Sequence, residues 1–296
     1  MSKTLYVLVG PTAVGKTEVS LQLAERLASP ILSADSRQMF RDLPIGTAAP
    51  TAEDQARVEH YFVGTLALTD YYSAARFEAE ALALCDHLFQ THDALVVSGG
   101  SMMYVDALCR GIDDLPTISP EVRADVLERY ERQGLDALLA ELRLLDPDYY
   151  ALVDKRNHKR VVHALEIIYQ SGATFTSLRK GVHKERPFRI VKIGLQRPRP
   201  ELFDRINRRT TAMVEAGFLE EAQRVLPFRE CNSLNTVGYK EIFRYFDGDW
   251  PLDMALDRIR KNTRVYAKKQ MTWLAKDPDI RWYHPDALLD HLDDAR

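Results

Sequence analysis

The fold of this chain is decided close to its start, by Leu5-Tyr6-Val7-Leu8-Val9-Gly10-Pro11-Thr12-Ala13-Val14-Gly15-Lys16-Thr17. The first five of these residues are all apolar, which is typical of a strand that is covered on both faces of a sheet. The other eight match the pattern G-x-x-x-x-G-K-[ST], and apolar residues then recur at helical spacing as far as Leu27. A strand, a glycine-containing turn and a helix in this order predict a phosphate-binding loop.

Each part of this loop has a physical role in holding a di- or triphosphate. The glycines let the backbone wrap a phosphate with its N–H groups, and the start of the following helix adds partial positive charge. Lys16 is predicted to neutralise the terminal phosphates, and the hydroxyl of Thr17 to bind Mg²⁺. Many nucleotide-binding and ATP-binding proteins share the pattern, so it does not specify which phosphate compound binds. The predicted phosphate-binding residues are Gly10, Pro11, Thr12, Ala13, Val14, Gly15, Lys16 and Thr17.

Strands and helices alternate beyond the loop. Apolar runs at residues 31–34, 94–98 and 190–195 predict three more buried strands, and residues 73–90 have the pattern of an amphipathic crossover helix. This alternation is typical of an α/β fold with a parallel sheet.

Residues 112–185 have a helical pattern throughout. A helix start at Ser119-Pro120 combines an N-cap serine with a proline at the first helical position. We predict that residues 112–185 form an all-helical insertion into an α/β core made of residues 1–111 and 186–296. The C-terminal part of that core is itself mostly helical and basic.

The composition excludes several classes of protein. With 296 residues, of which 46% are hydrophobic and 28% charged, the chain is neither low-complexity nor disordered. No apolar run approaches the ~20 residues of a membrane helix, and the first residues lack the pattern of a signal peptide. Cys85, Cys109 and Cys231 have no C-x-x-C spacing, which favours buried thiols over a disulfide or zinc site. These features predict a cytoplasmic protein that does not enter a membrane.

A candidate general base follows the second strand. The later strand that holds Mg²⁺ through an aspartate in many P-loop ATPases here runs into Ser98-Gly99-Gly100-Ser101 without a carboxylate. Asp35 is the nearest alternative, and the carboxyl ends of neighbouring parallel strands converge on one crevice. The loop, Asp35 and Ser101 are therefore expected to meet, with Asp35 suited to accept a proton. The competing interpretation is that Asp35 only caps a turn or a helix.

Positive charge is concentrated in two stretches, although the net charge is −3. Residues 176–209 contain eleven Lys and Arg against three acids, and residues 258–269 contain six with no acid. In the second stretch like charges repeat every four residues and repel in an isolated helix, at Arg260, Arg264 and Lys268. An anionic partner would relieve the repulsion, and interleaved aromatic residues suit nucleic acid. The competing interpretation is a solvated basic face.

Seven motifs in a fixed order carry a family resemblance. They are residues 10–17, 34–38 (A-D-S-R-Q), 45–48 (I-G-T-A), 97–104 (V-S-G-G-S-M-M-Y), 160–166 (R-V-V-H-A-L-E), 237–241 (V-G-Y-K-E) and 263–273 (T-R-V-Y-A-K-K-Q-M-T-W). The chain resembles the tRNA dimethylallyltransferases, also called tRNA isopentenyltransferases, along nearly its whole length. The first motif is common to many NTPases, whereas the ordered set is specific.

The resemblance implies an activity and its requirements. It implies transfer of a dimethylallyl group from dimethylallyl diphosphate to N6 of adenosine 37, in the anticodon stem-loop of tRNA. It also implies a P-loop-kinase-like core with the helical insertion, a requirement for Mg²⁺, and action as a monomer. The loop would then hold a prenyl diphosphate, whose departing charge Lys16, the loop amides and Mg²⁺ can stabilise.

Site residues follow from the resemblance by position. Asp35 would accept the proton from N6, Ser101 would lie near the adenine and the bridging oxygen, and Arg209 would be a second cation for the diphosphate. With Lys16, the first two make the catalytic set. The residues implied to contact tRNA are Asp35, Ser36, Arg37, Gln38, Ser101, Arg123, Lys159, Arg160, His163, Arg264, Lys268, Lys269, Gln270, Thr272 and Trp273.

Four positions depart from the family pattern. Ser101 stands where Thr is usual and keeps the hydroxyl, and Val14 replaces a small Ser or Cys whose backbone does the binding. His163 replaces a frequent Arg and so changes the side chain at one implied RNA contact. Lys269 stands where Arg is common and keeps the charge without the bidentate geometry. None of the four removes a catalytic group.

Two other functions use parts of the same pattern. A small-molecule P-loop kinase would use the same loop and a lid-like insertion, turn over ATP, and leave the basic C-terminal helix unexplained. A non-catalytic RNA-binding module with a residual nucleotide site would function without Asp35.

Overall fold

A computed structural model describes residues 3–181 and 183–288. The chain divides into two compact units, the first made of Met1–Cys109 with Arg186–Arg296 and the second of Arg110–Glu185. The second unit begins at Arg110, where the sequence pattern suggested residue 112.

Six strands of the first unit form one parallel sheet, in the order β3-β2-β4-β1-β5-β6. They are β1 Thr4–Val9, β2 Ile31–Ser33, β3 His60–Tyr61, β4 Ala94–Ser98, β5 Arg189–Leu195 and β6 Arg281–Tyr283. The predicted α/β fold with a parallel sheet is confirmed. Strands β3 and β6 were not predicted, because β3 has only two residues and the three residues of β6, which begin with Arg281, do not form an apolar run like the one that predicts β2.

Helices cover the sheet and form the second unit. In chain order they are α1 Lys16–Leu27, α2 Pro44–Thr47, α3 Ala52–Arg57, α4 Ala74–Leu88, α5 Met102–Arg110, α6 Pro120–Leu145, α7 Pro147–Leu152, α8 His158–Ser171, α9 Phe175–Leu178, α10 Arg199–Glu215, α11 Phe218–Val225, α12 Tyr239–Phe246 and α13 Leu252–Leu274. Short 3₁₀ turns lie at Leu226–Phe228, Asn232–Leu234 and Pro285–Ala287. No helix among the described residues is long and apolar enough to cross a membrane.

Strand β1 is buried from both sides. Leu5 packs into a core that includes Phe77 of α4, whereas Leu8 packs into a second core with Val19 and Leu23 of α1. Leu5 and Leu8 are both 0% exposed, and full burial of a side chain of this size contributes about 1.5–3 kcal/mol. Burial on both faces explains why residues 5–9 of β1 form an unbroken apolar run.

The register of the sheet sets the height at which each turn leaves it. Leu8 of β1 pairs with Ser98 of β4, which pairs in turn with Ser33 of β2. Two residues past these three lie Gly10, Gly100 and Asp35. The phosphate loop, the turn after β4 and the turn after β2 therefore leave the sheet at one level.

The second unit has a hydrophobic core of its own, built from α6 to α9. Gly134 (φ 78°) interrupts α6 with non-helical backbone, so that its two halves pack as separate helices. Buried Asp146 caps α7 by accepting a hydrogen bond from the Tyr149 N–H at 2.9 Å. It also accepts bonds from the N–H and hydroxyl of Thr176, at 2.8 and 2.7 Å. One carboxylate thus ties α7 to α9.

Candidate active site

The phosphate loop joins β1 directly to α1. Gly15, the last residue before the helix, has φ 110°, a backbone conformation that side-chain-bearing residues rarely adopt. The N–H groups in the first turn of α1 have no partners within the helix. Such groups at a helix start form a site for phosphate.

The side chain of Lys16 lies within the loop. Its Nζ donates hydrogen bonds to the carbonyls of Gly10 at 2.9 Å and Pro11 at 3.0 Å. The pKa of Lys16 is lowered to about 8, chiefly by burial; the carboxylate of Asp35 raises it in part, and the nearby positive charge of Arg209 adds a smaller decrease. The predicted cation is therefore held by loop carbonyls, and its protonation changes at mildly alkaline pH.

Three arginines, one just after β5 and two in α10, donate hydrogen bonds to consecutive residues of the loop. Arg209 Nη1 donates to Thr12 Oγ1 at 2.9 Å, Arg205 Nε to the Ala13 carbonyl at 2.8 Å, and Arg197 Nε to the Val14 carbonyl at 2.8 Å. Only Arg209 had been assigned to the loop from the sequence. Part of the first basic stretch thus serves the phosphate loop. The R-I-x-x-R pattern of residues 205–209, by which the resemblance implies Arg209, also begins with Arg205, whereas nothing in the sequence marks Arg197.

One nitrogen of the Arg209 guanidinium lacks a hydrogen-bond acceptor in the described part of the chain. Its Nε is buried and has no hydrogen-bond partner among the described residues. Burial lowers the pKa of Arg209, an effect that Asp35 partly opposes. A buried cationic donor without an acceptor is costly, and Arg209 lines a cavity. A bound anion would satisfy it.

Asp35 and Ser101 occupy neighbouring turns at the carboxyl edge of the sheet. Ser101 Oγ accepts a bond from the Ser36 N–H at 2.7 Å and donates to Ser36 Oγ at 3.0 Å. Asp35 Oδ1 accepts from the Arg37 N–H at 3.0 Å, so one oxygen caps a turn. An ideal Cβ built on Gly100 would lie 3.8 Å from both Asp35 Oδ2 and Lys16 Nζ. Asp35 Oδ2 and Lys16 Nζ are thus both close to one point beside Gly100.

Arg37 and Gln38 hold this turn in place. Arg37 Nη1 donates to the Asn232 carbonyl at 2.7 Å, and burial lowers the pKa of its guanidinium. Gln38 Nε2 donates to the Ala48 carbonyl at 3.0 Å, and Gln38 Oε1 accepts from Ser33 Oγ at 3.1 Å. Both side chains, which were expected to contact tRNA, bind protein groups here.

A buried carboxylate that the sequence did not single out supports the cavity. Glu221 of α11 is 0% exposed and accepts bonds from the N–H groups of Ile45 and Gly46 at 2.8 and 2.7 Å. It also accepts from the Tyr239 hydroxyl at 2.5 Å. Glu221 thereby joins the I-G-T-A and V-G-Y-K-E motifs. The next residue, Thr47, offers its carbonyl to Arg209 at 3.4 Å.

Helix α13 presents most of its predicted RNA-contacting residues on one exposed face. They are Lys268, Lys269, Thr272 and Trp273. Arg264 is half-buried, with its guanidinium 5.5 Å from the centroid of the Phe203 ring. Gln270 differs from the expected RNA contact, because it is 2% exposed and both ends of its amide bind backbone groups. Helical spacing turns position 270 inward, away from its neighbours on the exposed face.

Four predicted RNA-contacting residues belong to the second unit. Lys159 and Arg160 are exposed on α8. Arg123 Nε lies 3.3 Å from one oxygen of Glu166, and His163 Nδ1 lies 3.4 Å from the other. Glu166 is buried, so it anchors these two side chains on one patch.

A cavity of about 510 Å³ opens beside the loop. Its polar wall includes Thr12, Asp35 and Arg209. Its apolar wall is formed by Ile206, Met213, Val237, Ile259 and Val265. These wall residues were not predicted, because an apolar residue that lines a pocket has the same sequence pattern as one in a core.

The described residues contain no group of three His, Cys, Asp or Glu able to hold a metal ion. Mg²⁺ bound together with a phosphate compound needs only one or two protein oxygens, since phosphate and water supply the others. Thr17, an exposed residue adjacent to Lys16, carries a hydroxyl that fits that requirement.

Comparisons with known proteins show the family of this chain. Residues 38–277 match the family model described as IPP transferase. The tRNA dimethylallyltransferase 1 of Phocaeicola vulgatus is 62% identical over 286 residues, covering 97% of this chain and 95% of that protein. The protein of the same name from Bacteroides fragilis is 59% identical over 285 residues, covering 96% and 95%.

Solved structures show the same fold. The full-length tRNA isopentenylpyrophosphate transferase of Bacillus halodurans has a TM-score of 0.72 and 33% identity, covering 99% of this chain and 95% of that chain. A eukaryotic dimethylallyltransferase acting on tRNA has a TM-score of 0.80 over 98% of this chain and 76% of that chain, and its 23% identity shows the fold alone. Since the family model spans most of the chain and the bacterial relatives match it almost end to end, the chain belongs to the IPP transferase family.

Proposed function

We propose that this protein transfers a dimethylallyl group from dimethylallyl diphosphate to N6 of adenosine 37, next to the anticodon of a tRNA. The products are N6-isopentenyladenosine and diphosphate. Relatives named tRNA dimethylallyltransferase support tRNA prenylation. The observation that carries the proposal is that Thr12 of the phosphate loop, the carboxylate of Asp35 and an apolar wall line one cavity.

The loop and its cations act on the leaving group. When the allylic C–O bond breaks, negative charge develops on the departing diphosphate. Lys16, Arg209 and the first-turn amides of α1 stabilise that charge, which is the main way in which such sites accelerate reactions. The hydroxyl of Thr17 would hold Mg²⁺, which would neutralise part of the same charge.

Asp35 and Ser101 act on the acceptor. The N6 nitrogen forms a bond to the allylic carbon as the C–O bond breaks, and the proton that N6 loses passes to the Asp35 carboxylate. The Ser101 hydroxyl lies near the adenine and the bridging oxygen. Because N6 is inaccessible in a stacked loop, the adenine has to leave its stack to enter the cavity.

The apolar wall suits the five-carbon group of the donor. Ile206, Met213 and Ile259 offer surface that excludes water from a carbon centre with cationic character. Exclusion of water strengthens the electrostatic interactions inside the site and protects the reacting carbon from hydrolysis.

The partners and setting follow from the same proposal. The anticodon stem-loop contacts the exposed residues of α13 and, in the second unit, Lys159 and Arg160, which are exposed on α8. The protein acts as a monomer in the cytoplasm and needs no membrane. Light scattering of the purified protein at working concentration tests the monomeric state.

A paired assay tests the function against the kinase alternative. One arm supplies Mg²⁺, labelled dimethylallyl diphosphate and unmodified tRNA, and the other supplies ATP with and without RNA. We expect label in the tRNA, lost when adenosine 37 is replaced. The absence of an aspartate after β4, where Ser98 is followed by Gly99, already weighs against ATP turnover. ATP consumption without label in RNA would overturn the proposal.

The rate of transfer is expected to fall in mildly alkaline solution. The pKa of Lys16 is about 8, so the free enzyme loses this cation as the pH rises through that value. The pH profile of kcat/KM reports groups of the free enzyme, so kcat/KM for dimethylallyl diphosphate should decline above about pH 8. Lys16→Arg, which stays protonated, should lose this decline. A profile that is level or rising up to about pH 9.5 in the unmodified enzyme would contradict the assignment.

Binding of tRNA is expected to lose salt dependence when the exposed lysines of α13 are removed. Each phosphate contact releases counterions, so Lys268→Ala with Lys269→Ala should reduce the slope of log K against log salt by roughly 0.7–0.9 per lost contact. Arg26→Ala is a control, since Arg26 lies in the last turn of α1, at the opposite edge of the sheet. An unchanged slope in the double variant would remove this face from the RNA site.

A further inference from the structure

Gln270 joins the two halves of the proposed site through a single side chain. Its Oε1 accepts a hydrogen bond from the Thr12 N–H at 2.9 Å, and its Nε2 donates one to the Gly100 carbonyl at 2.9 Å. Thr12 belongs to the phosphate loop, whereas Gly100 belongs to the turn after β4. Both ends of the amide are therefore used inside the protein, and the side chain is 2% exposed.

We propose that Gln270 is a positioning residue that fixes the distance between the diphosphate of the donor and the base that receives the N6 proton. This inference rests on the proposed function. On the loop side, the hydroxyl of Thr12 holds Arg209. On the other side, Gly100 is followed by Ser101, which is hydrogen-bonded to Ser36 beside Asp35.

The position of Gln270 in α13 adds a link to RNA. Its neighbours Lys268, Lys269 and Trp273 are exposed, and Trp273 Nε1 donates to Asp106 Oδ2 of α5 at 2.9 Å. RNA that rests on the exposed face of α13 is thereby held by the same helix that sets the spacing of the loop and the turn. Gln270 thus aligns the acceptor with the donor, without touching either.

Replacement with a side chain of similar length separates alignment from packing. Gln270→Met keeps the volume and loses both hydrogen bonds, so the two turns can drift apart. A displacement of about 1 Å from the reactive geometry can cost ~10²-fold in rate. We expect kcat to fall by about 10- to 100-fold, while the Kd for tRNA stays within about twofold.

A second variant tests the hydrogen bonds directly. In Gln270→Glu, the protonated carboxyl group can donate to Gly100 and accept from Thr12, as the amide does. The ionised form loses the donor and places a negative charge against a carbonyl. The kcat of this variant, relative to the unmodified enzyme, should therefore rise as the pH falls. A residue that only fills space would show a constant ratio.

The experiment measures single-turnover transfer of label from dimethylallyl diphosphate to tRNA, together with tRNA Kd, for both variants and the unmodified enzyme. Gln223→Met, at an exposed position of α11, is the control. No label with the unmodified enzyme would refute the proposed function itself. An active enzyme whose Gln270→Met variant keeps full kcat, or loses tRNA affinity instead, would overturn the positioning role. If Gln270→Met does not fold, the pH ratio of Gln270→Glu decides: a rise at low pH supports the role, and a constant ratio refutes it.

Discussion

Replacing Asp35 with asparagine is expected to slow the transfer of the dimethylallyl group by about 10²-fold or more, because a positioned base contributes roughly 10²–10⁴-fold. Asparagine keeps the oxygen that accepts the Arg37 N–H, so the turn is retained while the proton acceptor is lost. The affinity for tRNA should change little. Single-turnover transfer of label, measured together with tRNA Kd, separates the two effects.

Asp42→Asn provides the matched control for this variant. Asp42 is an exposed carboxylate in the same region, and its loss should leave transfer unchanged. If Asp35→Asn retained the full rate, the base would have to be sought elsewhere. That result would remove Asp35 from the proposed mechanism while leaving the transfer activity itself established.

Loss of the loop lysine is expected to have a comparably large effect. Lys16→Met removes the cation that faces the departing diphosphate, and removing one such stabilising group typically costs ~10²–10³-fold in kcat. An unbranched side chain of similar length fills the space that the lysine leaves. Because Lys16 lies inside the loop, tRNA binding should remain. Steady-state kinetics at saturating tRNA and Mg²⁺ give the kcat of the variant.

Lys3→Met is the control for Lys16→Met. Lys3 lies just before β1, the strand that leads into the loop, and forms an ion pair with Asp93 at 2.9 Å. This pair lies at the edge of the sheet opposite to the loop. The Lys3→Met variant should transfer the dimethylallyl group at the rate of the unmodified enzyme. A raised KM for dimethylallyl diphosphate with normal kcat in Lys16→Met would mean that Lys16 only binds the donor.

The core of the fold and the position of the site could both be predicted from local patterns. Strands β1 and β4 are long enough to show as apolar runs, and the loop motif specifies the turn and the helix after β1. The convergence of the loop with Asp35 and Ser101 needed one further rule, that parallel strands end at a common edge.

Other features depend on contacts that no local pattern contains. Arg197 and Arg205 bind loop carbonyls, yet the composition of the basic stretch does not show that they face the loop. Gln270 lies in a helix with an exposed basic face, and only the helical phase and the surrounding backbone turn it inward. Glu221 has the sequence context of a surface acid on α11, although partners from α2 and α12 bury it.

Because the three turns leave the sheet at one level, the length of β1 determines the position of the phosphate loop relative to Asp35. Leu8, Ser98 and Ser33 share that level, and one residue of strand spans about 3.3 Å. Deleting a single residue from β1 would draw the phosphate loop back by that amount relative to Asp35, and would also exchange the two faces of the strand. A shift of this size exceeds what reactive alignment tolerates. The strand should accept apolar substitutions far more readily than any insertion or deletion.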